Sequence, residues 1–256
     1  MFVGRPDCLP FQEGITFEAG SLDDYSQAIL AYLNDGGIPD DLTAVLNETG
    51  GHNQSQVAVA DFSGDGLNDL GVSYFDLTME TPESLLNIFV CQDGHYALVY
   101  QDGPGAEGFF WKKQLWVWQD LDANGTAELV ASDTQCGAHT CFANVKILAW
   151  DGRGFVNKLT ETTDDLPSPE VQVTDADGDG VFELEVAAGG IASVGARPQR
   201  SLTRVWIYDP VQGIWAPDRE TLGLSNFRLH ALHDADAAAK RGDYETALAL
   251  YERVIN

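Results

Sequence analysis

Three segments of the chain repeat one pattern: QVAVADFSGDGLNDLGVSY at 56–74, LWVWQDLDANGTAELVASD at 115–133 and VQVTDADGDGVFELEVAAG at 171–189. In each, alternating apolar residues lead into a loop rich in aspartate and glycine, and a second apolar run follows it. The pattern recurs roughly every 57 residues, a period typical of repeat arrays and propeller blades. The repeats therefore dominate the prediction of the fold.

A hairpin pattern completes each repeat: NIFVCQDGHYALVY at 87–100, KILAWDGRGFVNKL at 146–159 and RVWIYDPVQGIWAP at 204–217. The Asp-Gly pairs in the first two favour tight two-residue turns between antiparallel strands. We therefore predict a mainly β fold with three four-stranded antiparallel propeller-like blades. Helices are expected at both the N-terminus and the C-terminus.

The organisation along the chain follows from the repeats and from helical periodicity in SLDDYSQAILAYLNDGG (21–37) and FRLHALHDADAAAKRGDYETALALYERVIN (227–256). The helix, Gly-Asp-Tyr turn and helix of the second segment resemble one tetratricopeptide unit. The predicted parts are an N-terminal helical or irregular segment (1–52), three repeats in 53–220 (about 56–110, 111–166 and 167–217), and a C-terminal tetratricopeptide-like hairpin (221–256).

The charge of the chain excludes several classes of partner. It carries 14 Lys and Arg against 40 Asp and Glu, which gives a formal net charge of -26 at pH 7. Such a surface repels nucleic-acid phosphates and anionic lipids. We therefore expect no nucleic-acid binding and no direct membrane insertion. The sequence contains no apolar run long enough for a transmembrane helix and no recognisable signal segment.

The acidic loops have the composition of a site for a hard cation. Loop 1 (61–69), loop 2 (120–128) and loop 3 (175–183) carry oxygen-bearing side chains at positions 1, 3, 5 and 9, a carbonyl at position 7 and glycine at position 6. Ca²⁺ takes 6–8 oxygen ligands, and glycine permits the sharp turn that brings them together. The predicted ligands are Asp61, Ser63, Asp65, Leu67 and Asp69; Asp120, Asp122, Asn124, Thr126 and Glu128; and Asp175, Asp177, Asp179, Val181 and Glu183.

These loops differ from an EF-hand because the closing acid stands at position 9, at the start of a strand, and not at position 12. We predict up to three Ca²⁺ ions, with the tightest binding at loop 3, which has four carboxylates. The alternative interpretation is that Asp-Gly turns are simply common in hairpins. Three copies with identical spacing favour ion sites.

On these loops, residues 56–216 resemble FG-GAP/VCBS-type repeats, which occur in integrin α-chain propellers and in many secreted bacterial proteins. The resemblance implies that the loops hold Ca²⁺ for structural reasons and that ligand recognition lies elsewhere. CGAHTCF, KILAWDG and GGIASVGARPQR, with the C-terminal helical segment, also resemble uncharacterised secreted Chloroflexota proteins. Such propellers usually have more than three blades, so the blades are open, capped by helices or completed by another chain.

Four cysteines indicate the compartment. Cys136 and Cys141 with the intervening histidine could form a zinc or redox loop, but a clear fourth ligand is missing. A short disulfide between them is the favoured interpretation, and Cys8 and Cys91 would form a second. Two disulfides imply an oxidising, extracellular or cell-envelope location.

Arginines cluster near the third repeat. Arg197, Arg200 and Arg204 could bind an anionic or carboxylate ligand, because the guanidinium fork matches carboxylate geometry. The alternative is that they form salt bridges with the acidic surface of the chain itself. Both interpretations stay open at the level of the sequence.

The favoured function is a non-enzymatic, extracellular Ca²⁺-binding repeat domain that acts as a structural or interaction module for a protein or glycan ligand. One alternative is a carbohydrate-active lyase or hydrolase on a Ca²⁺-stabilised propeller. Another is a subunit of an extracellular assembly, either a homo-oligomer or part of a larger parent chain. The sequence contains no phosphate-binding glycine loop, no nucleophile elbow and no H-E-x-x-H motif.

Overall fold

The computed structural model describes residues 8, 15, 17, 22–50, 55–76, 83–103, 110–137, 140–161, 163, 166–190 and 200–255. Its fold is mainly β, as the sequence predicts. The described residues form three four-stranded antiparallel sheets and four helices.

Each sheet contains four strands in their order along the chain. Sheet 1 contains β1 (Gln56–Ala60), β2 (Asp69–Asp76), β3 (Glu83–Gln92) and β4 (His95–Asp102). Sheet 2 contains β5 (Phe110–Gln119), β6 (Glu128–Cys136), β7 (Cys141–Trp150) and β8 (Phe155–Asn157). Sheet 3 contains β9 (Pro169–Thr174), β10 (Glu183–Ala188), β11 (Leu202–Asp209) and β12 (Ile214–Leu222).

The turn between β3 and β4 illustrates how sequence sets register. Asp93 and Gly94 both take a positive φ, +54° and +79°, as the tight Asp-Gly hairpin predicts. Gln92 and His95 therefore face each other as the first pair of the ladder. In each sheet the same up-and-down order places the acidic loop between its first and second strands.

Apolar residues between the layers hold the sheets together. The cluster between sheets 1 and 2 includes Phe62, Ile88, Leu115, Leu129 and Phe155. The cluster between sheets 2 and 3 includes Leu121, Val130, Ile147, Leu184, Val186, Trp206 and Trp215. The sheets thus pack face to face in chain order. Sheet 2 has two apolar faces because successive apolar residues such as Leu129 and Val130 point to opposite sides of it and enter different clusters.

Helices cover the other face of sheet 1. They are α1 (Leu22–Asn34) and α2 (Pro39–Gly50). Tyr25, Ile29 and Leu42 of these helices share an apolar cluster with Leu70 and Tyr74 of sheet 1. Asn34 fixes the position of α1, because its side chain exchanges two hydrogen bonds with the backbone of Tyr96, at 2.8 and 3.0 Å.

The C-terminal region forms a helical hairpin of α3 (Arg228–Lys240) and α4 (Tyr244–Ile255). Small residues allow close packing of the pair, and the buried ones include Ala235, Ala238 and Ala247.

On sheet 3, Glu170 and Gln172 alternate with the inward-facing Val171 and are exposed.

Two disulfides tie loops to strands. Cys8 and Cys91 are bonded with a Cα–Cα distance of 5.9 Å, which links the N-terminal segment to β3. Cys136 and Cys141 are bonded across the facing ends of β6 and β7. The pair therefore closes the β6–β7 loop as a disulfide and does not leave free thiolates for zinc.

Candidate metal centres

The three acidic loops lie side by side at one end of the stacked sheets. The amide of Ala127 in loop 2 donates to the carbonyl of Asp61 in loop 1 at 2.8 Å. The amide of Phe182 in loop 3 donates to the carbonyl of Leu121 in loop 2, also at 2.8 Å. In both cases, position 8 of one loop reaches back to the preceding loop, so the loops form a connected row.

The first aspartate organises each loop in the same way. Asp61 accepts the amides at positions 4, 5 and 6 of loop 1 at 2.7–3.2 Å. Asp175 does the same in loop 3 at 2.7–3.1 Å, and Asp120 accepts those at positions 5 and 6 of loop 2. In all three loops, the side-chain oxygen at position 5 accepts a hydrogen bond from the backbone amide at position 7. The residues at position 7 are Leu67, Thr126 and Val181.

Backbone geometry explains the glycine at position 6 and adds a feature that the sequence analysis missed. Position 6 has φ of +83°, +90° and +88° in the three loops, where glycine is favoured. Position 4 is also left-handed: φ is +79° at Gly64, +78° at Gly178 and +59° at Ala123. The left-handed turn at position 4 could have been predicted from the sequence, because Gly64 and Gly178 occupy this position in two of the three loops.

Loop 2 brings three predicted ligands together. Carboxylate oxygens of Asp120, Asp122 and Glu128 all lie within 4.8 Å of one another. Glu128 is only 1% exposed, and its Oε2 accepts the amide of Leu121 at 2.8 Å. Burial, reinforced by the charges of Asp122 and Asp120, raises the pKa of Glu128 to about 8. The cluster could hold a metal ion.

No cation of the protein offsets this cluster within the part of the chain that the structure describes, where no Lys, Arg or His lies within 4.0 Å of its carboxylates. The neighbouring sheet places Tyr208 of β11 near this cluster. Burial, reinforced by the nearby carboxylate of Asp122, raises the pKa of Tyr208 to about 12, so the hydroxyl stays protonated.

Loop 3 forms a second cluster that is more open to solvent. Carboxylate oxygens of Asp175, Asp177 and Asp179 lie within 4.8 Å of one another and could also hold a metal ion. The predicted ligand Glu183 is not a member of the cluster. Its Oε2 accepts the amide of Ala176 at 3.0 Å and so braces the loop.

Loop 1 does not form a comparable cluster of three carboxylates. Asp69 is fully buried and both of its oxygens are used by the backbone: Oδ2 accepts the amides of Phe62 and Ser63 at 3.0 and 2.8 Å, and Oδ1 accepts that of Cys91 at 2.8 Å. Burial raises the pKa of Asp69, although these hydrogen bonds oppose the shift. The structure therefore gathers acids in two of the three predicted sites.

The arginines that the sequence offered as a ligand site bind acids of the protein itself. Arg200 pairs with Asp234 of α3 at 2.5 Å and also donates to the carbonyl of Gly223. Arg204 pairs with Glu220 on the adjacent strand at 2.8 Å. Arg197 lies outside the described residues. For Arg200 and Arg204, the structure thus agrees with the alternative that these arginines form salt bridges with acids of the chain itself.

A buried ring of charges between sheets 1 and 2 was not predicted from the sequence. Lys113 binds Asp102 and Asp133 at 2.7 and 2.8 Å, and Lys146 binds the other oxygens of the same two aspartates at 2.6 and 2.5 Å. Burial favours a higher pKa for Asp102, but its hydrogen bonds to the two lysines outweigh burial and lower it. The two lysines therefore neutralise the charges of the two aspartates within the ring.

Comparison with known proteins assigns no family. No protein-family model matches the chain, and the search of curated proteins found no match. Among the described residues, no helix has both the length and the apolar character needed to cross a membrane.

Proposed function

We propose that this protein is a non-enzymatic Ca²⁺-binding repeat domain in which ions in loops 2 and 3 stabilise the packing of the sheets. One observation carries the proposal: Glu128 is almost wholly buried against Asp120 and Asp122 and has no basic partner among the described residues. Buried carboxylates are normally paired or bound to a metal. A divalent cation supplies the missing charge.

The donor set favours calcium over other metals. The candidate ligands are carboxylate, amide and carbonyl oxygens, which suit hard cations and not zinc or copper. Ca²⁺ accepts irregular geometry with 6–8 ligands, whereas Mg²⁺ requires a near-ideal octahedron and retains several waters. A short loop with side chains at positions 1, 3 and 5 matches the first requirement better.

We further propose that the three sheets are propeller-like blades of the FG-GAP/VCBS type, in an extracellular or cell-envelope interaction module. The face-to-face stacking of the sheets in chain order supports the first part. The two disulfides are compatible with an extracellular location. Helices α1 and α2 pack on one face of sheet 1, which favours a helix-capped open stack of blades over a closed ring.

Thermal unfolding with and without calcium tests the proposal. An ion present at about 100 times its Kd stabilises the folded state by about 2.7 kcal/mol per site, so EDTA should lower the Tm by several degrees and Ca²⁺ should restore it. Mg²⁺ at the same concentration should restore less. The double variant Asp120→Asn/Asp122→Asn should lose a large part of the response. An identical Tm in EDTA and in millimolar Ca²⁺ would remove the proposal.

A further inference from the structure

We propose that one side of α4 is a docking surface for a basic amphipathic helix of a partner protein. This inference goes beyond the proposed calcium function, because it concerns another part of the molecule and another kind of ligand. It rests on three observations: the spacing of apolar residues along α4, their exposure to solvent, and the charges beside them.

Apolar side chains form a continuous stripe along α4, called the outer stripe below. Its members stand four, three and four residues apart: Tyr244, Leu248, Tyr251 and Ile255. This is the spacing of the core positions of a coiled coil, in which two helices bury such stripes between them. The pattern therefore indicates that the matching partner is a helix and not a strand or an extended peptide.

The part of the chain that the structure describes leaves the outer stripe largely uncovered. Tyr244 is 73% exposed, Leu248 61% and Ile255 78%. α3 packs on a different side of α4, where Ala247 is only 3% exposed. Single apolar residues are normal on a protein surface, whereas grouped ones mark interaction sites. One helical hairpin does not bury both sides of α4 by itself.

The exposed apolar surface continues at the end of the hairpin where α4 finishes. A short turn at 241–243 joins α3 to α4, so the helices run antiparallel and the end of α4 lies beside the start of α3. Leu224 and Phe227, which directly precede α3, are 80% and 44% exposed. The outer stripe itself spans roughly 16 Å, so a partner helix of about 18 residues would cover it.

The charges beside the outer stripe define the chemistry of the partner. Glu245 and Glu252 are exposed, and at about 100° per residue they lie along the flank of the stripe opposite Ala247. The arginine of α4, Arg253, falls on the far side of the helix. Charged residues that flank a seam between helices select partners of opposite charge. A helix with Lys or Arg beside its apolar stripe therefore fits α4.

A second copy of this chain fits the outer stripe less well. In a two-fold antiparallel pair of α4 helices, the flanking glutamates of one copy would face those of the other. Each chain also has a formal net charge of -26, and like charges across an interface are costly. The same acidity repels anionic lipid surfaces. Charge complementarity thus favours a basic partner protein.

Isothermal titration calorimetry of the intact chain with two synthetic peptides tests the inference. Both peptides are helices of about 18 residues with the same leucine stripe, flanked by lysines in one peptide and by glutamates in the other. We expect the lysine peptide to bind at one site per chain and the glutamate peptide to bind at least about tenfold more weakly.

Variants of the outer stripe locate the binding site. Leu248→Gln/Ile255→Gln removes two apolar side chains and keeps the net charge, so it should weaken binding of the lysine peptide about tenfold or more. Val211→Gln is the matched control, since Val211 is 92% exposed but lies in the turn between β11 and β12. Circular dichroism of each variant confirms that folded chains are compared.

A charge reversal tests the chemistry of the partner. Glu245→Lys/Glu252→Lys should transfer the preference of the chain from the lysine peptide to the glutamate peptide, because the apolar stripe is unchanged and only its flank changes sign. A preference for the lysine peptide that survived this reversal would contradict the role of the two glutamates.

Three further results would overturn the inference. Equal binding of the lysine peptide by the wild type and by Leu248→Gln/Ile255→Gln would show attraction to the acidic surface as a whole. A dimer in light scattering that the same variant dissolves would show that a second copy covers the stripe. Binding of neither peptide by a monomeric chain would leave the stripe without a helical ligand. None of these results depends on metal, so each would leave the calcium function standing.

Discussion

The two junctions between the sheets solve the same electrostatic problem differently. Both bury carboxylates beside a β-loop of nearly the same sequence. At the junction of sheets 1 and 2, Lys113 and Lys146 neutralise two aspartates, and three backbone amides satisfy Asp69. At the junction of sheets 2 and 3, the acids of loop 2 have no basic partner among the described residues.

This difference shows that a repeated motif does not fix a repeated function. A carboxylate whose oxygens are occupied by amides needs no cation, whereas a group of carboxylates without counter-charge is costly unless an ion binds. We therefore expect the first junction to be stable without metal and the second to depend on calcium.

The largest effect is expected at the charge ring. Lys113→Met leaves Asp102 and Asp133 with one lysine between them in a largely buried site, and removal of one partner of a buried pair usually costs about 3–5 kcal/mol. Chemical denaturation should show this loss equally in EDTA and in Ca²⁺. Lys112→Met is the control, because Lys112 is half-buried and forms no ion pair among the described residues. A loss that depended on calcium would contradict the separation of the junctions.

The same ring makes the stability of the folded protein depend on pH in acid. The pKa of Asp102 is lowered in the folded state, so the ring contributes stability above the unfolded pKa of about 3.9 and loses it as the pH falls through the folded value. The pKa of Lys146 is raised, because its bonds to Asp102 and Asp133 outweigh burial, so its contribution is lost only in strong base. The stability difference between wild type and Lys113→Met should be constant from pH 5 to pH 9 and narrow below about pH 4. A difference that widened in acid would refute this account.

Position 9 gives the sharpest contrast between loops. Asp69→Asn replaces an acceptor with a donor that faces backbone amides, so it should cost about 1.5–3 kcal/mol with or without calcium. Glu128→Gln removes a metal ligand, so it should reduce the gain from Ca²⁺. Because the pKa of Glu128 is raised to about 8, the variant should raise the Tm in EDTA only above about pH 8, where the wild-type carboxyl is charged. Parallel melting curves in both buffers measure the two effects. Equal behaviour of the two variants would mean that loops 1 and 2 do not differ as described.

The smallest effect concerns the backbone of loop 2. Ala123 holds a left-handed conformation that glycine holds in loops 1 and 3, so Ala123→Gly should stabilise the protein by about 0.5–1 kcal/mol. The control is Gly125→Ala, which places a Cβ at φ +90° in the same loop and should destabilise. Urea denaturation measures both, and a loss of stability in Ala123→Gly would contradict the strain argument.

The sequence predicted what depends on local pattern. Alternation of apolar residues and the Asp93-Gly94 turn specify the strands, their order and the acidic loops, and those features are present. The two-residue turn predicted at Asp151-Gly152 is wrong, because Trp150 pairs with Phe155 and residues 151–154 together form the connection. The sequence did not predict that Asp69 binds backbone amides, since its partner Cys91 is 22 residues away and comes close only when β2 pairs with β3.

The charge ring was missed for the same reason. Lys113, Asp133 and Lys146 lie on three strands of sheet 2, whereas Asp102 belongs to sheet 1. No spacing along the chain reveals such a group, because it forms only when two sheets stack. Tertiary packing, and not the motif itself, thus decides which acids need an ion.

Terbium labelling of crystals tests the central claim most directly, because Tb³⁺ replaces Ca²⁺ in oxygen sites and scatters anomalously. We predict two anomalous peaks per chain, one within bonding distance of Asp120, Asp122 and Glu128 and one at Asp175, Asp177 and Asp179. No peak should lie at loop 1. Peaks at neither loop 2 nor loop 3, or a peak of equal height beside Asp61 and Asp69, would contradict the distinction between a metal-free and an ion-dependent junction.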